Sequence, residues 1–328
     1  MYKIGNLEIN SKVFLAPMAG ITFDSYRRFM ADFGYGVAVT EMVSDMGLIY
    51  GNEETKTYVI FDKSQNPIGV QLFGNDPETI KKAAKIALNL NKNIDFFDVN
   101  MGCPVPKVTD HGSGSKLMQN PKLCGDIIRA LKEVSDLPVT AKIRLGWDNN
   151  SINYMEVIEE LEKAGVDMIG IHARTKKELY SGQPHYELLK DLRSKMTVPL
   201  AVSGNIFTLD DAINALEITG ADAVMVARGG VGNPFLLTQI NRYFKTGERL
   251  PSPSLKEQLE WCYKLGTMIV EEKGEERGMR IYRSIASKFL NGFPNSKDYR
   301  VRLTTELVDL KSLRDILEDY AKENDIEF

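Results

Sequence analysis

Cysteine is scarce in this 328-residue chain: Cys103, Cys124 and Cys262 are odd in number and far apart. No closely spaced pair offers a zinc site, and the count does not suggest a disulfide framework. No metal is expected, and a reducing cytoplasm fits best. Long apolar runs are missing too. The longest near the N-terminus, Val13 to Ile21, is nine residues and contains a Pro and a Gly, whereas a membrane span needs roughly 20. No charged segment with a signal-type apolar core precedes it, so neither a membrane anchor nor an export signal is expected. No G-x-G-x-x-G follows the first apolar run and there is no P-loop, which leaves a Rossmann dinucleotide site and an ATPase unsupported. No repeat of 20–50 residues points to a solenoid. Net charge is −4, which argues weakly against a nucleic-acid partner, but distribution matters more than the sum. Between Arg277 and Arg302 seven residues are basic and only Asp298 is acidic.

What is present is a rhythm. Apolar, β-branched runs recur at 13–17, 37–42, 68–74, 96–102, 139–146, 168–174, 200–205 and 223–229. Helical segments lie between them. In 76–91, Asp76-Pro77 reads as an N-cap and first-turn Pro, and Ile80, Ala84, Ala87 and Leu88 keep a 3.6-residue spacing. Segments 152–164 and 209–218 each run into a stopping glycine, Gly165 and Gly220. Continuous apolar strands alternating with helices imply parallel strands buried on both faces. Eight such units match a (β/α)8 TIM barrel, with a doubly wound open sheet as the alternative. Gly247, Pro251 and Pro253 break the pattern, and beyond them Leu255, Leu259, Cys262 and Ile269 show helical spacing. The expected organisation is a catalytic α/β barrel over 1–247 and a small all-helical domain over 248–328.

In such a barrel the working groups project from the C-terminal strand ends. Here those ends carry Pro17-Met18-Ala19, Glu41, Gln71, Asn100 to Cys103, Lys142 with Arg144, His172 with Arg174, Ser203-Gly204-Asn205, and Ala227-Arg228-Gly229-Gly230. A lone Cys is most often a small buried hydrophobe, which suffices for Cys124 and Cys262. Cys103, between Gly102 and Pro104, sits instead in a loop where a thiol can work. Gln71 could simply cap a strand edge, and His172 could be a satisfied core histidine. A Lys inside a strand, as Lys142 is, needs a partner or a ligand. The last two ends offer approachable backbone N–H groups and the charge of Arg228, which suits a phosphorylated cofactor.

The strings APMAGIT, QLFGNDP, DVNMGCPVPKV, GSGSKLMQNP, AKIRLGW, IHARTKKELYSG and VSGNI, in that order, resemble those of tRNA-dihydrouridine synthases from Val13 to about Gly247. The D-x-N-x-G-C-P-x-x-K-V string is the specific one. The resemblance implies an FMN-binding barrel with a helical RNA-binding domain. It implies reduction of the C5–C6 double bond of uridines in tRNA, hydride going from FMN to C6 and a proton from Cys103 to C5. NADPH or NADH would reload the flavin. Position by position it places Pro17, Met18 and Ala19 around the flavin ring, Gln71 at its polar edge, Lys142 and His172 on the flavin and ribityl chain, and Ser203, Gly204, Asn205, Ala227 and Arg228 at the phosphate. Asn100, with Arg174, falls to the flipped uridine. Lys107, Arg277, Arg280 and Arg283 fall to the RNA, the three arginines sharing one helix face. A cytoplasmic monomer is implied.

The chain departs from the family in reading Ser-Gly-Asn after the seventh strand, Ala-Arg after the eighth, Thr109-Asp110-His111 after Lys107-Val108, and an altered stretch at Arg283 to Phe289. The first two keep the backbone donors; the last two concern the RNA-facing surface. Competing readings are a flavin barrel acting on a free pyrimidine, the same chemistry on another RNA, and a non-catalytic RNA-folding factor.

Overall fold

Alternation of apolar side chains along eight short strands leaves each strand two faces to bury, and closing the sheet into a barrel covers both. The computed structural model describes residues 1–65 and 67–328. Strands β1 (Tyr2–Ile4) and β2 (Leu7–Ile9) form an antiparallel hairpin. They are followed by β3 (Val13–Leu15), β4 (Val37–Val39), the two-residue β5 (Val43–Ser44), β6 (Ile68–Phe73), β7 (Phe96–Asn100), β8 (Val139–Arg144), β9 (Met168–His172), β10 (Leu200–Ser203) and β11 (Ala223–Val226). Leaving out β5, which pairs beside β6, the parallel order runs β4-β3-β11-β10-β9-β8-β7-β6, and β6 pairs back to β4. That last pairing closes an eight-stranded barrel. Every apolar run read from the sequence supplies one of its strands; the N-terminal hairpin and β5 had no comparable signal.

The interior is graded along its axis. Near the strand starts Phe14, Val37, Phe96, Met168, Ala201 and Ala223 form one apolar cluster, and Ile4 and Ile9 of the hairpin are buried in it. Each isoleucine contributes about 1.5–3 kcal/mol from burial, and the hairpin plugs that end. Two or four residues further along three of these strands the inward positions turn polar: Asp98 and Asn100 after Phe96, His172 after Met168, Ser203 after Ala201.

The chain divides into two compact units. One holds 1–19 and 35–227, including the whole barrel sheet; the other holds 20–34 and 228–328. The second is helical, built on Asp24–Ala31, Phe235–Thr246, Leu255–Lys273, Glu275–Ala286, Ser296–Thr305 and Leu310–Glu323. Segment 20–34 joins it through Phe33, edge-on to Trp261 at 5.0 Å, and Phe29, edge-on to Phe289 at 6.2 Å. Gly247, in the left-handed region at φ 75°, ends the helix Phe235–Thr246, and Ser254 opens the next with a reciprocal capping box to Glu257. Among the described residues no helix is long and apolar enough to cross a membrane.

One glycine makes the apolar floor possible. A Cβ on Gly69 of β6 would lie 2.3 Å from the Phe96 ring. Gly69→Ala is therefore expected to cost about 2 kcal/mol in denaturant unfolding. Adding Phe96→Ala should remove the clash, so the two losses should be clearly less than additive.

Candidate active site

The polar rows begin with register. Gln71 of β6 lies opposite Asp98 of β7, which lies opposite Thr140 of β8; one row further on, Asn100 lies opposite Lys142. Side chains in a row on one face of neighbouring strands touch. Thr140 Oγ1 donates to Asp98 Oδ1 at 2.5 Å, and Gln71 Nε2 donates to Asp98 Oδ2 at 2.6 Å. Asn100 Nδ2 donates to Gln71 Oε1 at 2.8 Å, and Asn100 Oδ1 accepts from the Cys103 N–H at 2.8 Å. Both Asp98 oxygens accept, so Asp98 sets the orientation of both amides in turn. Burial raises the Asp98 pKa, opposed by the bonds from Thr140 and Gln71 and by the charge of Lys142.

This chain ends on the turn that carries the thiol. The Cys103 carbonyl accepts from both the N–H and the hydroxyl of Ser115, each at 3.0 Å. Gly114 has φ 60°, and a Cβ there would lie 2.7 Å from that carbonyl, so the clamp needs glycine. Cys103 is half-buried. Burial pushes its thiol pKa up, against the Val105 N–H and the charges of Arg144 and Lys142. The thiol therefore keeps its proton at neutral pH, as a proton donor must.

Cations surround the turn. Lys142 keeps some accessible surface toward the mouth, yet desolvation by the protein around its ammonium lowers its pKa to about 8; Arg144 adds to the effect and Asp98 opposes it. Among the described residues no carboxylate pairs with Lys142. Arg144 is buried, its Nε donating to the Gly102 carbonyl and its Nη1 to the carbonyls of Thr175 and Leu179, all at 2.8 Å. Arg174 is also buried, donating to the Ser181 carbonyl at 2.9 Å, the Gly182 carbonyl at 2.6 Å and Asn205 Oδ1 at 3.0 Å. Its Nη1 lies 3.1 Å from His172 Nε2, which is the acceptor there because arginine has only donors. The two arginines thus hold segment 175–182 against the ends of β7 and β10.

At β10, Ser203 is buried, Gly204 has φ 137° and Asn205 φ 49°. A cavity of about 480 Å³ lies beside this turn, lined by Gln183, Tyr186, Gly204, Asn205 and Asp211 among others; Cys103, Asn100 and Lys142 are not part of it. Pro17 and Met18 are half-buried and Ala19 is exposed after β3, and Ala227 follows β11. Lys107 is exposed in the short helix Pro106–Thr109. In the helical unit, Arg228 is exposed and opens the turn Arg228–Gly230. Arg277 and Arg280 are exposed on the helix Glu275–Ala286, while Arg283 is half-buried with Nε donating to the Leu307 carbonyl at 2.8 Å. Register brings Gln71, Asn100, Lys142 and Cys103 into one neighbourhood. Asp98, Thr140 and Ser115 belong to it as well, and sequence reading missed them. Period-2 counting back from Asn100 and Lys142 would have found the first two.

A closed parallel barrel with polar and cationic groups gathered at the C-terminal strand ends, and apolar side chains at the other end, defines a barrel enzyme. The dihydrouridine synthase family model matches residues 14–324. A probable tRNA-dihydrouridine synthase of Rickettsia conorii is 37% identical over 301 residues, covering 92% of this chain and 90% of that protein. tRNA-dihydrouridine synthase B of Pseudomonas aeruginosa is 32% identical over 300 residues, again covering 92% and 90%. The chain belongs to the dihydrouridine synthase family and is an oxidoreductase. Among solved structures, histamine dehydrogenase from a Rhizobium species shares the fold at a TM-score of 0.53 and 13% identity, over 81% of this chain and 50% of that one.

Two outcomes follow from the buried charges. Asp98→Asn turns one of two accepting oxygens into a donor facing a donor, so unfolding free energy should fall by about 1–3 kcal/mol in denaturant titration. Lys142 has an ordinary value of 10.5 and a folded value of about 8. Between these the unfolded chain binds the extra proton, and stability rises with pH. Below them the folded state carries a poorly solvated cation. Lys142→Met should therefore stabilise ligand-free protein near neutral pH by on the order of 2 kcal/mol, and the gain should shrink as pH approaches 10.5.

Proposed function

We propose that this protein reduces the C5–C6 double bond of a uridine in tRNA to 5,6-dihydrouridine, using FMN as the bound flavin and NADPH or NADH as reductant. The observation that carries the reading is the Cys103 turn: a thiol held protonated by burial, fixed through Asn100 and Ser115, beside the cations Lys142 and Arg144. The tRNA comes from the related tRNA-dihydrouridine synthases.

The residues of the mouth suit a phosphorylated flavin. Among the described residues Lys142 lacks a carboxylate partner, and the Ser203-Gly204-Asn205 turn has positive φ at Gly204 and Asn205, a backbone conformation that suits anion-binding N–H groups. In this reading Ser203, Gly204, Asn205 and Ala227 hold the phosphate, and Arg228, next in the chain, is a candidate for the same role. Pro17, Met18 and Ala19 border the ring; Gln71, Lys142 and His172 face its polar atoms and ribityl chain. A reduced flavin bound there would supply hydride to C6 of the uracil. Charge then accumulates at C5 and the neighbouring carbonyl, and Cys103 gives its proton to C5 from the opposite side. Asn100 holds the uracil edge and, through its Oδ1, the Cys103 backbone, so one amide aligns base and acid together. The pyrimidine must leave its stack to reach Cys103. Arg174 touches segment 181–182 and Asn205, which makes it a support for the substrate side of the mouth. Lys107, Arg277 and Arg280 meet tRNA phosphates, with Arg283 contributing the donors left over from Leu307. The protein works as a monomer in the cytoplasm.

The test is direct. The purified protein should be yellow with bound FMN, and tRNA from cells lacking the gene should lose dihydrouridine at one or more positions. Cys103→Ala should retain FMN while turnover on tRNA drops about 10²–10⁴-fold. Full activity in Cys103→Ala removes the thiol from the chemistry, and unchanged tRNA with a yellow protein points to another RNA or a free pyrimidine.

A further inference from the structure

Three consecutive barrel loops each bring one residue to a single spot. Lys116 comes from the turn Gly114–Gln119 after β7, Trp147 from the loop after β8, and Lys176 from the loop after β9. The Lys116 ammonium lies over the Trp147 ring at 5.1 Å from its centre, and the Lys176 ammonium at 4.5 Å. Backbone bonds hold the arrangement: the Lys176 N–H donates to the Gly146 carbonyl at 2.9 Å and the Lys177 N–H to the Trp147 carbonyl at 3.0 Å.

Charge bookkeeping separates this spot from an ordinary solvated surface. The adjacent Lys177 is neutralised by Asp148 at 2.7 Å. Among the described residues, neither Lys116 nor Lys176 has a carboxylate within ion-pair distance. A ring face returns only about 0.5–1 kcal/mol per cation at an exposed site, so an anion that meets either ammonium adds a charge-assisted contact that the ring does not supply.

The spot is tied to the Cys103 turn by sequence and by bonds. Lys116 follows Ser115, which clamps the Cys103 carbonyl. Trp147 lies three residues past Arg144, which holds the Gly102 carbonyl. Lys176 follows Thr175, whose carbonyl takes Arg144 Nη1.

We propose that Lys116 and Lys176, set by Trp147, form a phosphate clamp on the barrel mouth that grips the RNA backbone next to the reacting uridine. This rests on the proposed RNA substrate. A base turned out of its stack and into the mouth carries its own flanking phosphates to the rim, and each of these three loops is bonded to the Cys103 turn directly or through Arg144. The clamp takes backbone, not bases, so it serves any uridine that the rest of the protein presents.

The experiment uses full-length holoenzyme and unmodified tRNA, with dissociation constants taken over a range of salt. Each single Lys→Ala is expected to weaken binding about 3- to 10-fold, and the double variant should lower the slope of log affinity against log salt by about 0.7–0.9 per lysine. KM should rise with kcat nearly unchanged, and Lys116→Arg with Lys176→Arg should restore both affinity and slope. Wild-type binding of tRNA with the same affinity and slope in a double alanine variant of unchanged melting temperature overturns the clamp and leaves the RNA substrate standing. Failure of the wild-type protein to bind tRNA overturns the RNA reading and the clamp with it.

Discussion

A single buried carboxylate sets the geometry on which the site depends. Asp98 accepts from Thr140 on one side and Gln71 on the other, and with both of its oxygens accepting, each amide beyond it has one orientation that continues the chain. The result is a chain of bonds across β8, β7 and β6 that returns along β7 to the backbone of Cys103. Half-satisfied polar networks in a barrel interior are destabilising; this one is complete from Thr140 to the thiol turn. Desolvation of Asp98 is thus offset locally while it orients groups that sit one layer higher.

The cationic layer above has a different logic. Lys142 and Arg144 lie two residues apart on one strand and face the same interior; burial disfavours both charges, and Arg144 further disfavours that of Lys142. Arg144 meets that cost by donating to three carbonyls. Among the described residues Lys142 has no such set of partners. An unpartnered cation in a polar mouth suits an anionic or electron-rich ligand, whereas a fully engaged arginine suits architecture.

Much of this was legible in the sequence because the signals are local. Eight β-branched runs became eight strands, Asp76 caps a helix as its residue type suggests, and Gly220 and Gly247 end helices in the left-handed region. Gln71, Asn100, Lys142 and Cys103 were visible as polar ends of apolar runs. Asp98 and Thr140 were not, since inside a strand a polar residue becomes meaningful only when register shows what lies opposite. Ser115 and Gly114 sit beside Cys103 by a loop closure that no periodicity encodes. The N-terminal hairpin was missed for a similar reason: three-residue strands fall below any pattern, and their burial depends on residues far along the chain. The grouping of segment 20–34 with the helical unit also arises from long-range aromatic contacts.

The hairpin that floors the barrel has a temporal meaning as well as a spatial one. Ile4 and Ile9 lie in a cluster completed by Met168, Ala201 and Met225, and β3 pairs with β11, which begins at Ala223. These early apolar residues of the barrel therefore wait for almost all of its strands to be synthesised before their surface is covered. Contacts so distant in sequence make folding slow and leave strand edges open meanwhile. The unpaired edge of β3 and the apolar face of the hairpin are the parts of the nascent chain most in need of protection from aggregation.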